Sequence, residues 1–157
     1  MSDVPCGLAY IALARRTALA SNCMRRQVGA VIVKDGSLIV TAANGTPEGC
    51  TPCNNGGCVR CSSNALSGQA YEACICIHAE QRAVALAASS GASTAGATMY
   101  VTLRPCLPCL NLCLHAGIVD VIYDEEVTFD QRVEEAYAQF VRQTQISPQI
   151  RRHHTDQ

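Results

Sequence analysis

The sequence predicts an α/β fold in which helices cover both faces of one mixed β-sheet. Apolar, β-branched segments typical of strands alternate with segments whose apolar residues recur at helical spacing. Turn signals separate most of these segments, and a chain of 157 residues can bury one core without disulfide staples. Together these observations favour a single domain with three layers, α/β/α, around a central mixed sheet.

The first expected elements are a helix and a hairpin. Apolar spacing predicts a helix over about residues 5–20, with Asp3 as its N-cap. Residues 28–33 and 38–43 are apolar and rich in β-branched side chains, which is typical of strands. An Asp-Gly pair at 35–36 indicates a tight hairpin turn between them. Two antiparallel strands should therefore follow the first helix.

The second half of the chain alternates between helices and strands. The expected elements are a helix over 79–90, a strand over 99–102, a helix over 106–116, a strand over 118–123 and a helix over 127–143. Glycine follows the first two of these helices, as is common at helix C-termini. We expect the domain to span residues 1–146 and residues 147–157 to form a polar tail, because the latter carry no core pattern.

Residues 44–77 are expected to form a cysteine-rich, zinc-binding insert in this domain. Gly, Asn, Ser and Cys dominate the segment, which has no sustained periodicity and is too long for an ordinary connection. Cysteine pairs at C-x-x-C and C-x-C spacing can close a tetrahedral thiolate site and so fold a segment without an apolar core. A structural zinc is the simplest use, although six thiolates could hold two ions by sharing. Local spacing favours the ligand set Cys58, Cys61, Cys74 and Cys76.

A His-x-Glu motif and a later Pro-Cys-x-x-Cys motif supply candidates for a hydrolytic zinc site. A catalytic zinc takes three nitrogen or sulfur ligands and keeps one position open for water. His78, Cys106 and Cys109 are the candidate ligands, since two thiols at i and i+3 share one face at a helix start. Glu80 lies too close to the histidine to bind the same ion easily, so it is the candidate proton shuttle.

Either motif alone is weak evidence for catalysis. A lone histidine is usually structural, and a lone Cys-x-x-Cys can be a redox or structural zinc pair. Together, and in this order, the two motifs match the signature of zinc-dependent nucleobase deaminases.

Composition and charge argue against several classes of protein. A formal net charge of −1 without a long basic run disfavours a nucleic-acid partner, and an aromatic content of 4% disfavours a base-stacking surface. The sequence shows neither a signal-peptide pattern nor an apolar span of membrane length, so we expect a cytoplasmic protein without a membrane partner. In that setting the 11 cysteines are expected to be metal-bound thiolates rather than disulfides. A small polar substrate fits these properties best.

Four ordered motifs resemble the cytidine and deoxycytidylate deaminase superfamily, and within it the deoxycytidylate deaminases. They are residues 23–33, Asn44-Gly45-Thr46-Pro47, His78-Ala79-Glu80-Gln81 and residues 96–102, within a match over about residues 23–123. The insert is similar to a cysteine-rich version found in fungal and some bacterial members. The resemblance implies a cytidine-deaminase-like fold, a zinc cofactor, and hydrolysis of dCMP to dUMP with release of ammonia.

The resemblance also implies specific substrate contacts. Asn44 would hydrogen-bond the sugar, and the backbone around Ala30 and Thr102 would line the pyrimidine pocket. Arg26 is the candidate ligand for the phosphate. Arg82 stands where these deaminases usually have asparagine, so another cytosine nucleotide, a nucleoside, a base or a specialised-metabolite derivative stays open as the substrate.

For the structural zinc, the resemblance implies a ligand set that differs from the set favoured by local spacing, and both stay open. The implied set is Cys23, Cys53, Cys58 and Cys74. Family members bury apolar surface between subunits, so a homo-oligomer is also expected. A zinc-stabilised nucleic-acid-binding or polynucleotide-deaminating module is the remote alternative.

Overall fold

The computed structural model describes residues 4–144 and 149–152 of the chain. Its helices are α1 (Val4–Ala18), α2 (Val59–Ser62), α3 (Ala79–Ser89), α4 (Leu107–His115) and α5 (Gln131–Gln143). Its strands are β1 (Gly29–Lys34), β2 (Ser37–Ala43), β3 (Thr98–Leu103), β4 (Asp120–Glu125) and β5 (Gln149–Arg152). Two short 3-10 helices, Cys53–Asn55 and Tyr71–Ala73, lie in the insert. Apart from β5 and the short helices of the insert, each element corresponds to a predicted one.

The strands form one mixed sheet, as the sequence predicts. Their order is β2-β1-β3-β4-β5. β1 runs antiparallel to β2 and β3, whereas β3, β4 and β5 run parallel to one another. The start of β1 therefore lies beside the end of β3, at the edge of the sheet that is formed by these strand ends. The helices α3 and α4 also begin near this edge, which places the predicted catalytic motifs there.

The hairpin between β1 and β2 has the turn that its Asp-Gly pair predicts. Asp35 has φ of 50° and Gly36 has φ of 73°. Two successive residues with positive φ match the right-handed twist of the flanking strands. The turn therefore fixes which residues of β1 face each side of the sheet.

Helices cover both faces of the sheet, which confirms the three-layer prediction. On one face, Ala14 of α1 packs with Val31 and Val33 of β1. The other face carries the main core, in which α3, α4 and α5 pack against alternate residues of β1, β3 and β4. Its largest fully buried members include Ile32, Met99 and Leu110. Within the described residues, no helix combines the length and apolar character needed to cross a bilayer.

The final helix begins later than its predicted start at residue 127. Asp130 is its N-cap, and the carboxylate accepts a hydrogen bond from the Val133 N–H at 3.1 Å. The preceding residues form a connection in which the carbonyl of Val127 accepts from Arg104 at 3.0 Å. A local cap therefore overrides the apolar pattern in setting this helix boundary.

Strand β5 lies in the segment that was expected to be a polar tail. Residues 149–152 pair in parallel with β4 and form the outermost strand on that side of the sheet. Backbone hydrogen bonds hold such an edge strand, and they need no apolar pattern in the sequence. The rest of the expected 147–157 tail lies outside the described residues, as does Asp3, the expected cap of α1. The domain boundary at residue 146 stays a prediction.

Candidate active site

The two predicted catalytic motifs meet at the N-termini of α3 and α4. His78 is the N-cap of α3, and its backbone N–H donates to Gln81 Oε1 at 3.1 Å. Cys106 is the N-cap of α4, just beyond the end of β3, and Cys109 lies in the first turn of that helix. Helix N-termini carry partial positive charge, which favours thiolates. Two helices thus bring one nitrogen and two sulfur atoms to one point.

The spacing of these three atoms fits one tetrahedral ion. The Nδ1 atom of His78 lies 3.5 Å from the Cys106 Sγ and 3.3 Å from the Cys109 Sγ. Zinc–sulfur bonds of about 2.3 Å and zinc–nitrogen bonds of about 2.0 Å place tetrahedral nitrogen and sulfur ligands roughly 3.5 Å apart. One imidazole and two thiols are also a donor set that zinc prefers. The residues present therefore fit a catalytic zinc with one position open.

The pKa values of the two neighbouring thiols shift in opposite directions. A hydrogen bond from Cys109, assisted by His78, lowers the pKa of Cys106 to about 4. The same hydrogen bond and burial raise the pKa of Cys109 far above that of a free thiol. Two adjacent thiolates repel each other, so one keeps a proton unless a cation neutralises the pair. The site is thus electrostatically suited to a divalent ion.

Glu80 lies in the first turn of α3 and is almost completely buried, with 4% of its surface exposed. Burial raises the pKa of its carboxyl to about 7, because the charged form loses its hydration. Cys106, Cys109 and His78 are among the groups that act on this carboxyl. A carboxyl with this pKa can accept and return a proton near neutral pH. This environment suits the predicted role of Glu80 as the proton shuttle.

Asn44 holds the chain that leads into β1. Its Oδ1 accepts from the Val28 N–H at 2.8 Å, and its Nδ2 donates to the Arg26 carbonyl at 2.8 Å. An amide side chain still has one N–H and one lone pair after these two bonds. Asn44 can therefore order the local backbone and meet a ligand at the same time.

Thr102 and Ala30 lie on adjacent strands near the same sheet edge. The Thr102 hydroxyl accepts from the Gly29 N–H at 3.2 Å, and Ala30 is fully buried opposite Val101. The Ala30 side chain faces protein, whereas Thr102 is slightly exposed and borders an open cleft. The backbone contacts with a ligand that the resemblance implies at these two positions stay a prediction.

An open cleft with a volume of about 480 Å³ lies at the sheet edge on the side of α1. Arg26 and Thr102 line it, together with Val28, Arg15 and Glu125. Two of the predicted substrate contacts, Arg26 and Thr102, therefore lie on the same cleft, whereas the three zinc ligands are not part of its lining. Arg15 is already paired with Asp124 across α1 and β4, at 2.6 Å. Arg26 is thus the better placed of the two arginines to bind an anion there.

Arg82 has a structural role that the sequence did not predict. Its guanidinium donates to the carbonyl of Ala43 at 2.8 Å, of Gly45 at 3.3 Å and of Thr46 at 2.7 Å. These bonds hold the loop that carries Asn44 against α3. Arg82 therefore supports this loop through three hydrogen bonds from its guanidinium. Only the path of the loop carbonyls, which has no sequence signature, could have indicated this role.

The cysteines of the insert form two groups that could each hold an ion. The first group is Cys23, Cys53, Cys61 and Cys76, and the second is Cys58, Cys61, Cys74 and Cys76. Within each group the sulfur atoms all lie within 4.8 Å of one another. The second group is the set favoured by local spacing. The set implied by the resemblance combines two members of each group.

Two further cysteines lie apart from these groups. Cys50 is exposed in the insert, and Cys113 is buried in the main core, with its sulfur 3.6 Å from that of Met99. These two are therefore not candidate ligands.

Comparison with known proteins agrees with this geometry. The family model for the cytidine and deoxycytidylate deaminase zinc-binding region matches residues 7–125. The deoxycytidylate deaminase of Schizosaccharomyces pombe is 38% identical over 121 residues, which are 77% of this chain and 37% of that protein. The deoxycytidylate deaminase of Mycobacterium phage D29 is 38% identical over 122 residues, covering 74% of this chain and 92% of the phage protein.

A solved structure shares the fold over nearly the whole chain. The dCMP deaminase of cyanophage S-TIM5, in complex with dCMP and dUMP, aligns with a TM-score of 0.73 and 27% identity. The alignment covers 98% of this chain and 100% of the phage chain. By contrast, the chain spans little more than a third of the length of the fungal relatives that it matches. The extent of the family match and the ligand geometry lead to one conclusion: the chain belongs to the cytidine and deoxycytidylate deaminase zinc-binding family.

Proposed function

We propose that the protein is a zinc-dependent aminohydrolase that converts dCMP to dUMP and releases ammonia. The observation that carries the proposal is the meeting of His78, Cys106 and Cys109 beside the buried carboxyl of Glu80. Three ligands around an open position, next to a proton shuttle, are what hydrolytic deamination of a cytosine requires. The deoxycytidylate deaminases among the relatives, and the relative with bound dCMP and dUMP, support this substrate.

In this reaction the residues of the chain divide the work. A zinc ion held by the three ligands would polarise water for attack at C4 of the cytosine ring. Glu80 takes one proton from the attacking water and gives it to the ring N3; it then takes the second proton of the same oxygen, now bonded to C4, and gives it to the departing amino group. Its burial suits both steps, because a pKa of about 7 lets the carboxyl change protonation state at little cost.

The substrate contacts that we propose lie along the same sheet edge. Asn44 uses its remaining amide hydrogen or lone pair on the sugar. The backbone near Ala30 and Thr102 borders the pyrimidine. Arg26 binds the phosphate from the cleft beside β1, where its charge complements a nucleotide monophosphate. The three hydrogen bonds that Arg82 donates to loop carbonyls make it a support for this loop.

We further propose that the insert contains at least one structural zinc ion. Its cysteines supply tetrathiolate groups, and its buried cluster consists of cysteine side chains. Such a segment needs metal ligation to offset the chain entropy that ordering removes.

A substrate panel on purified, zinc-loaded protein tests the proposed reaction. Ammonia release should be fastest with dCMP and slower with CMP, cytidine and cytosine. Preference for cytidine or cytosine would instead assign the nucleoside or base as substrate and remove the phosphate role of Arg26. Salt-sensitive binding and deamination of single-stranded nucleic acid would favour the polynucleotide alternative. No ammonia from any of these compounds would refute the proposed chemistry.

We also propose that the protein is a cytoplasmic homo-oligomer. The ten cysteines whose side chains the structure describes are free thiols, which supports a reducing compartment. Several large apolar side chains are exposed, among them Leu19, Val59 and Leu66. Burial of such side chains between subunits would favour association. Light scattering that finds only monomers at micromolar concentration would contradict the oligomer.

A further inference from the structure

We propose that the insert holds a binuclear zinc–thiolate cluster in which two zinc ions share the sulfur atoms of Cys61 and Cys76. This site is separate from the proposed catalytic ion and does not depend on the identity of the substrate. Each ion would have two bridging ligands and two ligands of its own. The outer ligands are Cys23 and Cys53 for one ion, and Cys58 and Cys74 for the other.

The overlap of the two cysteine groups is the first observation behind the cluster. Each group has four sulfur atoms within 4.8 Å of one another, and both groups contain Cys61 and Cys76. Two separate tetrathiolate sites would need eight cysteines, but the two groups together contain six. Sharing two thiolates is the arrangement that gives each ion a complete tetrahedral set.

Three sulfur–sulfur distances among Cys58, Cys61, Cys74 and Cys76 match tetrahedral zinc. Four sulfur atoms at about 2.3 Å from zinc lie roughly 3.8 Å from one another. The Cys58 and Cys74 sulfurs are 3.8 Å apart, and Cys61 lies 3.9 Å from both Cys74 and Cys76. A disulfide would require about 2.05 Å, and all six cysteines are free. The thiols are therefore spaced for a shared cation and not for a covalent bond.

A single ion would leave two of these thiols without a role. If only the first group bound zinc, Cys58 would stay as a fully buried thiol beside the ligands, together with Cys74. If only the second group bound zinc, the fully buried Cys53 would be left over with Cys23. Backbone N–H groups point at sulfur on both sides, from Met24 to Cys53 at 3.5 Å and from Ile75 to Cys58. Such donors stabilise thiolates in both halves of the cluster.

A buried arginine supplies a second, independent observation. Arg60 is only 6% exposed, and its guanidinium lies 4.4 Å from the centre of the Tyr71 ring. It donates to the carbonyls of Gln69 and Leu66, and the described residues offer it no carboxylate partner. A buried cation without a counter-charge is costly. Two zinc ions with six thiolates carry net negative charge, and Cys61 and Cys74 are among the groups that face this arginine.

The cluster would also connect the insert to the active site. Cys76 is separated from the catalytic ligand His78 by Ile77 alone. The backbone of Ile77 pairs with Gly45, through bonds of 2.9 and 3.2 Å. A bridging thiolate at Cys76 therefore fixes the approach to His78 and the loop that follows Asn44.

Metal counting on the 157-residue chain, by native mass spectrometry and elemental analysis, tests the cluster. The wild type should bind three zinc ions per chain, one catalytic and two in the insert. Cys61→Ser removes a ligand of both insert ions and should lower the count to one. Cys50→Ser alters an exposed cysteine of the same insert and should keep all three, which makes it the matched control. A wild-type count of two zinc ions, or iron in place of zinc, would overturn the proposal.

A spectroscopic measurement keeps the test decisive if Cys61→Ser does not fold. Wild-type protein reconstituted with ¹¹³Cd should give two insert resonances that split each other through the shared sulfurs. Two unsplit resonances, or one, would exclude bridging thiolates. Failure of the dCMP assay would leave these results unchanged, so the two proposals can fail separately.

Discussion

Replacing Arg82 with methionine should loosen the loop that carries Asn44, because methionine keeps an apolar stem but removes every donor. In the native protein the guanidinium bonds to three carbonyl oxygens of this loop, two of them at 2.7 and 2.8 Å. Without it, the carbonyls of Ala43 and Thr46 lose this donor, whereas that of Gly45 keeps the bond from the Ile77 N–H at 2.9 Å, and the first residues of the insert are no longer tied to α3. The expected effects are lower stability and weaker substrate binding.

The size of the effect follows from the two short bonds. Hydrogen bonds from a charged donor contribute about 1.5 to 3 kcal/mol each, and the longer bond to Gly45 adds little. Arg82 is half-buried, so water replaces part of what is lost. We therefore expect a loss of roughly 2 to 4 kcal/mol. For a domain of this size, that corresponds to a decrease in Tm of about 5 to 15 °C.

Thermal unfolding and steady-state kinetics together check this prediction. Arg82→Met should raise KM for dCMP more than it lowers kcat, because the loop positions substrate and leaves Glu80 in place. Arg82→Lys, which keeps the charge but has a single donor group, should fall between the variant and the wild type. Arg132→Met, at an exposed arginine of α5, is the matched control. An Arg82→Met protein with unchanged Tm and KM would refute the supporting role.

Two further predictions concern the catalytic site, and a third concerns Glu134 of α5. Glu80→Gln should keep its full zinc content, measured by elemental analysis, while turnover falls by about 10² to 10⁴-fold through loss of the proton shuttle; an active variant would contradict the mechanism. Cys106→Ser should lose one zinc ion per chain, and an unchanged zinc content would remove Cys106 from the ligand set. Arg104 lies 2.7 Å from the Glu134 carboxylate, and this ion pair lowers the pKa of Glu134. Glu134→Gln removes the carboxylate and therefore the ion pair. Wild type should therefore exceed this variant in urea-unfolding stability above pH 4.5, and lose the advantage as pH falls through the depressed pKa; a pH-independent difference would show that the ion pair is not its source.

The elements that the sequence predicts well are those with a local signal. The Asp35-Gly36 turn is one case, since two residues with positive φ select these residue types. The strand over 149–152 is the opposite case, because partner backbone in β4 stabilises it and its own side chains carry no pattern. The start of α5 was missed for a third reason: the cap at Asp130 outweighed apolar residues upstream.

The site shows the same division. The sequence predicts that one site contains His78, Glu80 and the cysteine pair of α4, because zinc chemistry constrains both residue type and spacing. The sequence leaves open that six thiolates share two ions, but it does not indicate that both groups contain Cys61 and Cys76, because this overlap depends on how Cys23, far upstream, packs against the insert. Local spacing therefore found one group of four and could not find the second.

The length of the insert is tolerable because its two ends are already paired. Gly45 and Ile77 exchange backbone hydrogen bonds across its base, so the residues between them form a closed loop. The entropy of closing a loop grows only with the logarithm of its length, so added residues cost little in closure. They cannot order themselves, however, because the groups that they bury are sulfurs and not hydrocarbon side chains. The proposed metal ligation would supply the ordering free energy and would act within two residues of His78, so it would link the order of the insert to the geometry of the catalytic ligand.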